Sequence, residues 1–75
     1  MKQLRQFMAI IDCEGKGYVA LCPELDIASQ GNTVEEARCN LKEALELFFE
    51  TADAAEVRRR LQGEVFVTHL EVAAG

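Results

Sequence analysis

The stretch CPELDIASQGNT, Cys22 to Thr33, gathers a proline, two acids, a glycine and a helix-capping threonine in the middle of the chain. Two carboxylates beside a bend can hold a metal ion; they can equally be turn chemistry. Pro23 has no N–H for a strand ladder, so a strand must end at Cys22. Pro23-Glu24-Leu25-Asp26 then reads as a bend and Ile27–Gly31 as a short strand. Thr33 and Glu36 form a capping box, in which each side chain satisfies the other's free backbone N–H, so a helix begins at Val34. Every residue of the stretch has a structural duty.

On its N-terminal side, Leu4–Cys13 is rich in apolar and branched residues and reads as a strand. Glu14-Gly15-Lys16-Gly17 supplies two glycines for a tight turn, and Tyr18–Cys22 returns antiparallel. Closing the hairpin there sets Cys13 opposite Tyr18, Ile11 opposite Ala20 and Ala9 opposite Cys22. One sheet face then carries Phe7, Ala9, Ile11, Cys13, Tyr18, Ala20 and Cys22, and the other carries Met8, Ile10, Asp12, Val19 and Leu21. The first face has small residues at its centre, which let a helix approach closely, and the helix is assigned to it.

On the C-terminal side, the helix runs from Val34 to about Thr51. At 100° per residue, Val34, Ala37, Leu41, Ala44, Leu45, Phe48 and Ala52 form one stripe, widened by Leu47 and Phe49. Glu35, Glu36, Glu43, Glu46 and Glu50 fall on the opposite side. Asp53-Ala-Ala-Glu56 is a second capping box, opening a short helix through Val57-Arg-Arg-Arg-Leu61 that Gly63 stops. Glu64–Val72 reads as a last strand, with Phe66, Thr68, Leu70 and Val72 on one face and Val65, Val67, His69 and Glu71 on the other. It is apolar on both sides.

The order predicts a single α+β domain over residues 1–75, with a two-layer β-β-β-α-(short α)-β architecture. Its antiparallel-rich sheet has one long helix packed on one face. A chain of 75 residues buries only about 60% of the surface its unfolded form exposes. Yet 49% of its residues are apolar and 28% are charged. One helical layer covers one face of a sheet. Leaving Met8, Ile10, Val19 and Leu21 in water would make a larger apolar patch than monomers tolerate. These four are therefore the expected contact of a homo-oligomer, a dimer or tetramer; the competing expectation is that the short second helix folds over them.

The net charge of −5 disfavours nonspecific nucleic-acid binding, since phosphates repel an acidic surface, and suits a basic protein partner. Three widely spaced cysteines, with no C-x-x-C pair, indicate neither a zinc site nor a disulfide framework. Reduced thiols and the absence of a signal-like or membrane-length apolar run point to a cytoplasmic protein. No cofactor is expected. His69 stands alone, with no nucleophile at a telling position. Asp12, Glu24 and Asp26, joined by Glu43 or Glu46, are the acids a metal-dependent nuclease would use; as turn and surface acids they need no such explanation. Arg58-Arg59-Arg60 is a weak nucleic-acid signal without interleaved aromatics.

Taken as a run, Tyr18-x-Ala20, Cys22-Pro-Glu-Leu25, Ser29-x-Gly-Asn-Thr33, Glu35-Glu-Ala37 and Asn40-Leu-Lys-Glu-Ala44 resemble the HicB family of antitoxins. The likeness covers about half of the chain. The Pro-Gly that often follows Glu-Leu in that family is Asp26-Ile27 here. The resemblance implies a partial ribonuclease-H-like fold without that enzyme's catalytic carboxylates. It also implies a non-catalytic role: neutralising a small, basic HicA-type toxin that cleaves messenger RNA. Many members also carry a ribbon-helix-helix or helix-turn-helix segment. None is among these 75 residues, so direct DNA binding is not expected of them.

The expected function is that of an antitoxin-type protein, holding a basic toxin through Glu24, Asp26, Glu35, Glu43 and Glu46. The alternatives are an orphan oligomeric HicB-like binding or regulatory module and a metal-dependent ribonuclease-H-like nuclease.

Overall fold

The computed structural model describes residues 4–75. Three antiparallel strands, β1 (Ile10–Glu14), β2 (Gly17–Cys22) and β3 (Ile27–Gly31), are followed by helices α1 (Val34–Thr51) and α2 (Ala54–Leu61). The sheet order is β1-β2-β3, so β2 is central and the other two are edges. The hairpin register sets Cys13 opposite Tyr18 and Ile11 opposite Ala20, as the turn glycines require. Gly15 supplies the turn's left-handed residue, with φ 60°.

The first strand starts at Ile10 instead of Leu4, and Ala9 does not pair with Cys22. Pro23 ends β2, and the chain before Ile10 turns away from the ladder. The Met8 N–H is instead bonded to both carboxylate oxygens of Glu24, at 3.2 and 3.0 Å.

Helix α1 lies across β3 and β2 on the face predicted for it. The fully buried side chains are Ala20 and Cys22 from β2, Leu25 from the bend, and Ala37 and Leu41 from α1. Small residues permit the close approach: a Cβ placed on Gly31 would stand 2.5 Å from the Ala37 nitrogen. Phe7, Ile11, Tyr18, Ile27, Leu45, Phe48, Phe49 and Leu61 pack around this nucleus. Phe7 stacks on Phe49 with centroids 5.6 Å apart, tying the segment before β1 to the end of α1. Two residues of the predicted helical stripe lie outside this core. Val34 sits in the first turn, beyond the end of β3, and Leu47 points away from the sheet; both are exposed.

Each predicted capping box forms by half: the cap side chain accepts from the backbone, and among the described residues the glutamate carboxylate does not return the bond. The Glu36 N–H donates to Thr33 Oγ1 at 3.0 Å, and the Glu56 N–H to Asp53 Oδ1 at 2.8 Å. Each satisfies a backbone donor that a helix start leaves free. The arginine run has a local role as well: Arg58, Arg59 and Arg60 occupy the last turn of α2, where cations face the negative end of the helix dipole.

The predicted fourth strand is a correction. Residues 64–72 form no strand and are exposed throughout, with Phe66 82% and Leu70 83% accessible. A segment that is apolar on both faces needs cover on both faces and a strand to pair with, and one helical layer supplies only one side. Nor does α2 fold over the second sheet face. It packs through Leu61 against the core and through Arg60 against the bend.

Candidate functional site

The bend that ends β2 is built inward. Leu25 is completely buried, and its carbonyl accepts a 3.0 Å hydrogen bond from Arg60 Nη1. Arg60 also donates to Glu56 Oε1 at 3.1 Å and lies over the Phe48 ring, 5.7 Å from its centroid, so one side chain ties α2 to both the bend and α1. Glu24 holds Met8 and accepts from the Cys22 thiol at 3.5 Å. Burial pushes the Cys22 thiol up from its ordinary pKa; the Leu25 backbone opposes this and the Glu24 carboxylate reinforces it. Asp26 is exposed and adopts a left-handed φ of 54°, a conformation that aspartate tolerates better than most side chains.

The five acids proposed for partner binding are thus set apart by the fold. Glu24 and Asp26 lie at the β2–β3 bend, and the first is engaged with its own chain. Glu35 stands in the first turn of α1, beyond the opposite end of β3, and accepts from Arg38 Nη1 at 3.3 Å and from Cys39 Sγ at 3.6 Å. Arg60 ties the bend to Phe48, which is thirteen residues of helix, a rise of about 20 Å, from Glu35, so no single cluster joins the bend to Glu35. Glu43 and Glu46 lie between, on the outer face of α1. Both are exposed, with no cation within ion-pair distance among the described residues.

The second sheet face brings three of its four predicted residues together; Met8 lies before β1, where the chain has left the ladder. Ile10 is directly opposite Leu21 across the ladder, and Val19 follows on the same face of β2. Met8 and Ile10 are 42% and 39% exposed, while Val19 and Leu21 are half-buried. The register adds two residues that sequence reasoning missed: Ala28 opposite Leu21 and Gln30 opposite Val19. The alternation of Ile27–Gly31 carried that signal, since Ile27 faces the helix and its neighbour must face away.

The remaining candidates are scattered. Asp12 is exposed on the second face, and His69 lies within the exposed segment 64–72. Cys13 and Cys39 are exposed and Cys22 is buried. Among the described residues, no three His, Cys, Asp or Glu side chains stand close enough to hold a metal ion. Asp12 therefore joins no group of three such ligands with Glu43 or Asp26 among the described residues. No helix among the described residues is long and apolar enough to cross a membrane.

These features define a small two-layer α+β protein with an acidic outer helix face and a largely apolar second sheet face. No family model matches the chain, and no solved structure matches it. Three curated proteins do. A UPF0150 protein of Synechocystis is 41% identical over 61 residues, covering 79% of this chain and 83% of that protein. A UPF0150 protein of Helicobacter pylori is 35% identical over 66 residues, covering 87% and 92%. A third, from Thermotoga maritima, is 46% identical over 56 residues, covering 69% and 75%. The chain belongs to the UPF0150 family.

Proposed function

We propose that this protein is a HicB-type antitoxin module of the cytoplasm, which binds a small basic HicA-type toxin and blocks its RNA-cleaving site by covering it. The observation that carries this reading is the acidic pair Glu43 and Glu46 on the outer face of α1, which have no ion-pair partner among the described residues. Carboxylates with no internal partner cost nothing to withdraw from intramolecular contacts, and they accelerate encounter with a cationic surface. Asp26 adds an exposed charge at the bend. Glu24 acts through the fold, holding the bend against Met8. The nuclease alternative lacks a convergent set of carboxylates, and it gains no support.

The test is titration calorimetry of the intact protein with a HicA-type toxin, at low and high salt. Binding is expected to weaken with salt. Glu43→Lys with Glu46→Lys should lower affinity by about tenfold, the equivalent of roughly 1.4 kcal/mol. No binding at either salt concentration would remove the proposal for this partner.

A further inference from the structure

The structure contains a strand without a sheet and a sheet edge without a strand. Residues 64–72 have the composition of a strand that is apolar on both faces, yet Val65 is 43%, Val67 49%, Phe66 82%, Leu70 83% and Val72 77% exposed. With that segment outside the packed layers, the radius of gyration is 14.6 Å, against about 11 Å for a compact chain of this length. The two edges of the sheet differ. On β3, the Gln30 carbonyl already accepts a 2.8 Å bond from Asn40 Nδ2, so α1 occupies part of that edge. On β1, among the described residues, no side chain is bonded to the backbone of Ile10–Glu14.

We propose that residues 64–72 are exchanged between two copies of this chain, each adding a strand to the β1 edge of the other while the two second sheet faces pack together. A second copy is the occupant because of what the segment needs. Docking on its own β1 edge would bring it under one helical layer and leave its other apolar face in water, beside Met8 and Ile10. Two copies packed across that face cover both sides at once. Each segment of nine residues spans about 30 Å when extended. A stable interface buries on the order of 1,600 Å² in total, and ten exposed apolar side chains from the two segments, five from each, are available to supply it with the sheet faces behind them.

The experiment needs no toxin, so its outcome is independent of the antitoxin reading. Light scattering on the intact protein should give twice the 8.3 kDa mass of one chain. Phe66→Glu with Leu70→Glu alters only exposed side chains. It should halve the mass while leaving the helical circular dichroism unchanged. Thr68→Pro, which removes a ladder N–H in the same exposed segment, should do the same. Adding unlabelled intact protein to the ¹⁵N-labelled double variant should shift the amide resonances of Ile10–Glu14, because the variant still offers its edge. An intact monomer at millimolar concentration, with or without residues 64–72 laid on its own sheet, overturns the proposal. So does a dimer that survives both substitutions or forms without shifts along β1.

Discussion

Replacing Gly31 by alanine tests how closely α1 is seated on the sheet. The added Cβ would meet the Ala37 nitrogen at 2.5 Å, the Glu36 carbonyl carbon at 2.8 Å and the Ala37 Cα at 3.0 Å. All three are backbone atoms and cannot swing aside. Ordinary contact begins near 3.4 Å, so the first turn of α1 must retreat by roughly an ångström. That retreat loosens Ala37 and Leu41, which are buried with Ala20. Overpacking of this kind costs about 1–3 kcal/mol, and the stiffer unfolded chain returns about 0.4–1 kcal/mol. The net loss is about 1–2 kcal/mol, a fall in melting temperature on the order of 5–15 °C.

Two other glycines serve as controls. Gly63→Ala meets nothing within 4 Å and should stay within about 0.5 kcal/mol of the parent. Gly15→Ala also meets nothing, but its φ of 60° should cost about 1 kcal/mol through the backbone alone. Urea unfolding followed by circular dichroism, at one fixed protein concentration, reads all three. If Gly31→Ala matched Gly63→Ala, the close seating of the helix would be refuted.

Three further outcomes follow from the bend. Cys22 should resist iodoacetamide in the native protein while Cys13 and Cys39 are modified, as read by peptide mass spectrometry. Because the Cys22 pKa is raised on folding, the stability tied to its protonated form is whole below the ordinary thiol value of about 8.5 and is lost as pH rises through the folded value; Cys22→Ala should flatten that loss. Arg60→Met should remove the bond to the Leu25 carbonyl and the contact with Phe48. Hydrogen exchange should then speed up across α2 by roughly tenfold, the effect of losing about 1.4 kcal/mol, with little change in α1.

The parts of the fold legible in the sequence were those specified by local chemistry. The Thr33 cap fixed where α1 starts, Pro23 fixed where β2 stops, and the two glycines fixed the hairpin register. The parts that were not legible depend on who pairs with whom. Leu4–Ala9 has the composition of a strand, but Cys22 is the last ladder residue of β2, and Met8 turns to Glu24. Period two in residues 64–72 states which side chains share a face, not which strand lies alongside. The site followed the same division. Ile10, Val19 and Leu21 came from alternation and share the second face, whereas the internal bond of Glu24 to Met8 depends on tertiary placement that spacing does not encode; the pairing of Glu35 with Arg38 is an i,i+3 helix contact that spacing does carry.

The bond from Asn40 to the Gln30 carbonyl has a consequence for how large an assembly can become. A sheet open at both sides is a template for unlimited addition, copy after copy, toward a filament. Here Asn40 already engages a carbonyl of β3, so a strand added on that side must first displace this bond. An Asn40→Ala chain would leave that carbonyl free, and the segment that is apolar on both faces would have a second edge to meet.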